Sequence, residues 1–169
     1  MSETPRPATE KAQQTRAAII TAALDLFRER GYDGTTMRAV AERAGVSSGN
    51  AYYYFGSKEH LVQAFYDQLQ ETHAVAAAAA VEGRSTYADR LAAVLDTWVD
   101  VAADYHAFAG TFFKNAAEPT SPLSPFSEAS RPAREAAVQI HRSAIEGSDL
   151  KVAKALREEL PELMWLLQM

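Results

Sequence analysis

Glycines at 31, 45 and 56 cut the N-terminal third of this chain into short pieces, and a hydroxyl residue follows each within four positions: Thr35, Ser47, Ser57. Glycine tolerates the left-handed conformation in which helices end, and a Thr or Ser hydroxyl accepts from the orphan N–H groups where the next helix begins. Three helix starts therefore crowd into little more than twenty residues. The segments between them are too short to be stable alone, so they must fold against each other and against a longer partner. That partner is a helix expected over residues 10–30, with Ile20, Ala23, Leu24 and Phe27 on one face at helical spacing.

The rest of this region follows from the same signals. Thr35 is expected to cap a second helix whose inner stripe is Met37, Val40, Ala41 and Ala44. Gly45 ends it. Ser47 caps a very short third helix over 48–54, and Ser57 caps a long fourth helix through Leu61, Phe65 and Leu69 into the alanine run 76–80. Two short helices joined by a tight Gly-Val-Ser turn are a helix-turn-helix. The stretch "GVSSGNAYYYFGSK" places four aromatics side by side, Tyr52 to Phe55. A helix turns about 100° per residue, so these four rings point around the whole circumference and cannot share one role. Phe55 and Ala51 are expected in the core with Val46, and Tyr52 and Tyr53 outside it, while the direction of Tyr54 stays open.

Beyond the fourth helix the pattern stays helical, and the fold class expected is all-α. Thr86 with Asp89 resembles a capping box, and the helix after it carries Leu91, Val94, Leu95, Trp98, Val101 and Tyr105 on one side. Another helix holds Phe108, Phe112 and Phe113. "EPTSPLSPFSEASRP" has four prolines in fifteen residues and reads as a loop. A helix follows over 133–145. Ser148 or Asp149 is expected to cap a helix with Val152, Leu156 and Leu160, and Pro161 to open a separate last one, because proline suits a first turn and not a helix interior.

Composition excludes several function classes. No run of about 18 apolar residues is present to span a bilayer, and the polar start with two prolines has no apolar signal region. The chain has no cysteine, which removes disulfides and thiolate metal sites and fits a reducing cytoplasm. The four histidines, 60, 73, 106 and 141, lack a metal-ligand spacing and read as ordinary surface or core residues; no nucleophile motif, phosphate loop or dinucleotide fingerprint occurs. Neither an enzyme nor a cofactor or metal is expected. Net charge is −5, yet the first 60 residues carry eight Lys/Arg against seven Asp/Glu and the rest nine against fifteen. The N-terminal third is thus the less acidic part.

Residues 15–61, "TRAAIITAALDLFRERGYDGTTMRAVAERAGVSSGNAYYYFGSKEHL", resemble the DNA-binding domain of the tetracycline-repressor (TetR) family of bacterial transcription regulators. The matching elements are Ala22-Ala23 with Leu26-Phe27, Gly31-Tyr32, Thr35-Thr36, Ala41, Ala44 to Ser47, Gly49, Tyr52, Tyr54-Phe55, Ser57 to Glu59 and Leu61. The resemblance implies a disordered tail over 1–9, a DNA-binding domain over 10–56 and a helical ligand-binding and dimerisation domain over 57–169, with its last helix truncated. It implies a cytoplasmic repressor, a homodimer on a near-palindromic operator, released by a small-molecule effector; the alternative is a small-molecule-binding or activator member without repression. In a helix-turn-helix the second helix enters the major groove by its N-terminal residues. The expected DNA contacts are therefore Ser48, Gly49 and Asn50 at base edges, with Asn able to pair bidentately with adenine, and the capping Ser47 beside them. Tyr52, Tyr53, Thr36 and Lys58 are expected on phosphates, and Arg38 on a guanine edge or a phosphate. Trp98, Phe108, Phe112 and Phe113 are the candidates for lining an effector pocket.

Overall fold

The computed structural model describes residues 10–103, 105 and 121–169. Among these residues the chain forms seven α-helices and no strand. They are α1 (Glu10–Arg30), α2 (Met37–Arg43), α3 (Ser48–Tyr54), α4 (Lys58–Val81), α5 (Tyr87–Ala103), α6 (Arg131–Glu146) and α7 (Lys154–Gln168). The chain divides into two compact units, Met1–Ala64 and Phe65–Met169, with the division inside α4.

In the first unit α1 packs on α2 and α2 on α3. Ile19, Ile20, Ala22, Ala23, Leu26 and Phe27 of α1 are buried, while Leu24 lies at the edge of that face. Met37, Val40 and Ala41 meet them from α2, and Ala51 and Phe55 from the third helix and its end. Ala44 and Val46, expected in the core, are only half-buried.

The cap of α2 is shifted by one residue from the expectation. Thr36 caps the helix, its hydroxyl accepting from the Ala39 N–H at 3.2 Å. Thr35 is buried and donates instead to the Gly31 carbonyl at 2.8 Å. Two adjacent threonines compete for the cap, and the one facing inward ties off the end of α1.

In the second unit α5 packs on α6 and α6 on α7, around a core of Ala77, Val94, Ile140 and Ala144. Thr86 and Asp89 do pair at the start of α5: the Thr86 hydroxyl accepts from the Asp89 N–H at 3.1 Å and donates to the Asp89 carboxylate at 2.7 Å. Leu95, expected on the inner side of α5, is exposed. Residues 121–130 form turns, and Pro132 sits in the first turn of α6.

The C-terminal expectation needs correction. Residues 154–168 are one helix with Pro161 inside it, in place of two helices meeting at Pro161. Arg157, Pro161 and Trp165 fall on one stripe at spacing four, and both Pro161 and Trp165 are buried. Continuity of that buried stripe outweighs the ~3 kcal/mol an internal proline costs. The expectation of a separate helix beginning at Pro161 falls with it. Asp149 caps no helix of its own. Its carboxylate accepts from the Tyr87 N–H at 2.8 Å, so it closes the start of α5 from 62 residues away. Neither Ser148 nor Asp149 caps α7, which begins after Ala153 without a side-chain cap.

Candidate nucleic-acid interface

Seven residues of helix do not persist alone in water, so α3 depends on its anchors. Ser47 Oγ accepts from the Asn50 N–H at 3.1 Å and caps it. Ala51 is fully buried, Phe55 nearly so, and the Arg16 guanidinium lies 5.3 Å from the centre of the Phe55 ring. The turn before α3 relies on Gly45, whose φ of 69° is the left-handed conformation that side chains resist. These contacts fix which side of α3 faces out.

That side is the one carrying the expected contacts. Ser47, Ser48, Gly49 and Asn50 are exposed, as are Tyr52 and Tyr53 at 54% and 83%. Tyr54 is half-buried, and its ring meets that of Tyr53 edge-on at 5.4 Å. The open question of its direction is thus answered within the fold: it supports Tyr53 from the side. Thr36 and Arg38, at the start of α2, are also exposed. Arg38 has no hydrogen-bond or ion-pair partner among the described residues. Arg43, by contrast, is bound bidentately by Glu29 at 2.7 and 2.8 Å, and Arg28 lies 3.3 Å from Asp25. The Glu29 carboxyl is held below its usual range chiefly by the hydrogen bond from Arg43.

Gly49 has a specific signature. A Cβ built on it would meet nothing nearer than the Ser47 hydroxyl at 4.0 Å, and its φ is not positive. Nothing inside the chain requires glycine there, although glycine weakens a helix by about 1 kcal/mol relative to alanine.

Lys58 sits differently from the other expected contacts. Its ammonium donates to the Tyr32 carbonyl at 2.8 Å and lies 4.3 Å from the centre of the Tyr32 ring. The Tyr32 hydroxyl in turn donates to Glu59 at 2.7 Å. Burial, then the bond to Glu59, pushes the Tyr32 phenol well above its ordinary value. Glu59 is held low first by the Ser57 hydroxyl, against some burial, and then by Tyr32. This cluster clamps the start of the loop after α1 to the start of α4. Its sequence signal was the Gly-Tyr and Ser-Lys-Glu pairs, but nothing in their spacing said that they meet.

Of the aromatic residues expected to line an effector pocket, Phe108, Phe112 and Phe113 lie outside the described residues. Trp98 is half-buried, with its ring 5.2 Å from that of His73. A crevice of about 270 Å³ opens between α4, α5 and α6, lined by Ala74, Ala77, Val81, Val94, Ile140 and Ala144 among others. Trp98 does not line it.

The family model for bacterial regulatory proteins of the tetR family matches residues 19–65, and that for the tetracyclin repressor-like C-terminal domain matches residues 90–169. The HTH-type transcriptional regulator TtgR of Pseudomonas putida is 50% identical over 68 residues, which cover 40% of this chain and 32% of that protein. An HTH-type transcriptional repressor of Mycobacterium tuberculosis is 42% identical over 72 residues, 39% of this chain and 38% of its own. The matches thus span about a third of these relatives' length. Among solved structures, FadR of Bacillus subtilis in complex with stearoyl-CoA superposes with a TM-score of 0.67 at 18% identity, covering 86% of this chain and 80% of that one. FadR of Thermus thermophilus, in complex with lauroyl-CoA, gives 0.61 at 21% identity, covering 90% and 76%. At such identities these two show the fold. With the helix-turn-helix geometry, two matching models and the shared fold together, this chain belongs to the tetR family of bacterial regulatory proteins.

Proposed function

We propose that the chain is a ligand-responsive transcriptional repressor that binds a near-palindromic operator as a homodimer. The observation that carries this reading is the outward face of α3, where Ser48, Gly49, Asn50, Tyr52 and Tyr53 are exposed opposite buried Ala51 and Phe55. Ser48 and Asn50 offer short hydrogen-bonding side chains to base edges, and Gly49 lets the backbone approach. Tyr52, Tyr53, Thr36 and Arg38 suit phosphates, which fix register. Lys58 acts by positioning, since its ammonium is committed to Tyr32. The residues 10–56 and 57–169 serve as DNA-reading and regulatory parts respectively, and the protein acts in the cytoplasm where its operator lies.

Dimerisation is supported by α7, on which Leu156, Leu163, Leu166 and Leu167 are exposed at 46%, 43%, 41% and 79%. An apolar stripe of that kind on a surface helix calls for a partner. Two recognition helices would then read half-sites about 34–36 Å apart. An effector held by the second unit would release DNA to the extent that it binds the DNA-free conformation more tightly.

The test is fluorescence anisotropy against fragments from upstream of the chain's own and neighbouring genes, with sedimentation to give stoichiometry. A dimer bound to one fragment, with affinity falling steeply in salt and at least tenfold in Asn50→Ala, is expected. Absence of binding to any fragment, or an unchanged Asn50→Ala affinity, refutes the reading.

A further inference from the structure

The outward face of α3 has a basic neighbour that does not belong to the helix-turn-helix. Arg16 stands on α1, one turn before the buried Ile19 and Ile20. Its guanidinium lies over the Phe55 ring, 5.3 Å from the centre. The ring is buried and the arginine is exposed. An arginine over an aromatic ring is held there by its charge, and its N–H donors stay available to other acceptors. Among the described residues those donors have no hydrogen-bond or ion-pair partner. Other basic side chains of the first unit are committed: Arg28 is paired with Asp25, Arg43 with Glu29, and Lys58 is tied to Tyr32. Arg16 is seated but unpaired.

The place of that seat gives its chemistry a direction. Phe55 closes the last turn of α3, its N–H donating to the Ala51 carbonyl at 2.9 Å. At about 100° per residue, Phe55 stands within about 20° of Ser48 and about 60° from Tyr52 around the helix axis. Ser48 and Tyr52 are exposed and Ala51 is buried, so Phe55 lies at the border between the outward and inward sides. Along the axis, the seven residues from Ser48 to Phe55 put that border about 10 Å beyond the base-reading end of α3. A major groove is about 12 Å wide. A helix that meets bases at one end therefore has a sugar–phosphate strand beside its other end. A guanidinium with free donors suits a phosphate there, which it can engage by two parallel N–H bonds.

We propose that Arg16 is a further DNA contact, which binds a phosphate of the strand bordering the far end of α3 and is seated for it by the Phe55 ring. The contact carries no sequence information and fixes how α3 lies along the groove. It extends the interface from the helix-turn-helix to α1, and it rests on the reading of α3 as the helix that enters the groove.

The experiment measures the salt dependence of DNA binding by the full chain and by Arg16→Gln, Arg16→Lys and Arg30→Gln. The probes are the operator fragment and a short duplex of arbitrary sequence, on which the phosphate attraction also acts. Arg16→Gln is expected to lower the salt slope by about one for each subunit bound and to weaken binding roughly tenfold. Arg16→Lys keeps the charge and should keep the slope. Arg30→Gln removes an equal charge at the other end of α1 and should change neither quantity. Melts establish that each variant folds; should Arg16→Gln not fold, Arg16→Met, whose stem still covers the Phe55 ring, takes its place. An unchanged slope in the folded Gln or Met variant, an equal fall in Arg30→Gln, or failure of both the Gln and Met variants to fold each overturns the proposal. Where the natural chain binds DNA, those outcomes leave the groove-reading role of α3 standing; absence of binding to either duplex removes both.

Discussion

At the scale of single residues, Gly49 is a position at which the fold itself has no need of glycine. Alanine fits there without contact closer than 4.0 Å, so Gly49→Ala is expected to raise stability by up to ~1 kcal/mol in urea unfolding. The same change places a methyl on the outward face of α3, and operator affinity is expected to fall at least tenfold. A stabilised variant that binds normally would mean that no close approach occurs there. Lys58 gives the complementary case. Its contacts with Tyr32 predict that Lys58→Ala loses roughly 1 kcal/mol of stability. The salt slope of DNA binding should stay as it was, whereas loss of a phosphate contact would lower it by about one. Residue type and spacing named both positions from the sequence. They did not reveal that one is open and the other tied down, since that depends on Tyr32 coming back to the start of α4.

At the scale of elements, helix ends were legible where the cap is local, apart from α2, whose cap lies one residue later than expected. Gly45, Ser47 and the Thr86–Asp89 pair act within four residues of the backbone they serve. Ends closed from a distance were not. Asp149 caps α5 through tertiary contact. Arg90 is a second instance. Its guanidinium donates to the carbonyls of Val81 and Arg84 at 3.2 and 2.9 Å, and to those of Ser143 and Ala144 at 3.0 and 2.9 Å. It thereby joins the C-terminal ends of α4 and α6, where the helix dipoles favour a cation. Arg90→Met, which keeps the stem and removes the donors, should destabilise by roughly 2–3 kcal/mol. Calorimetry should show the loss in the transition of the second unit, with DNA-reading residues unaffected in their own spectra. An unchanged melt would show that water replaces the guanidinium without cost.

For the molecule as a whole, the buried histidines set a pH dependence. His73 and His141 have folded-state pKa values lowered from 6.5, mainly by burial. Below about 6.5 the unfolded chain takes up protons that the folded one refuses. Stability is therefore full above that pH and declines as pH falls toward the lowered folded values. The carboxyls of Glu29 and Glu59 are also lowered, from 4.5, and act only in a more acidic window. A melting temperature that drops between pH 7.5 and 5.5, and drops less in a folded His73→Phe/His141→Phe chain, is expected. A flat profile over that range would show the histidines to be solvated.

Sequence alone determined the all-helical class and the helix-turn-helix, because turns, caps and the 3.6-residue period are local properties of the chain. The exposed side of α3 followed from the same arithmetic once Ala51 and Phe55 were assigned inward. Only the tertiary structure decided that Pro161 sits inside a helix, that Lys58 faces Tyr32, and that His73 and His141 are buried. Each of those depends on which distant surface covers a residue, and burial by a distant surface leaves no periodic trace in the sequence around it.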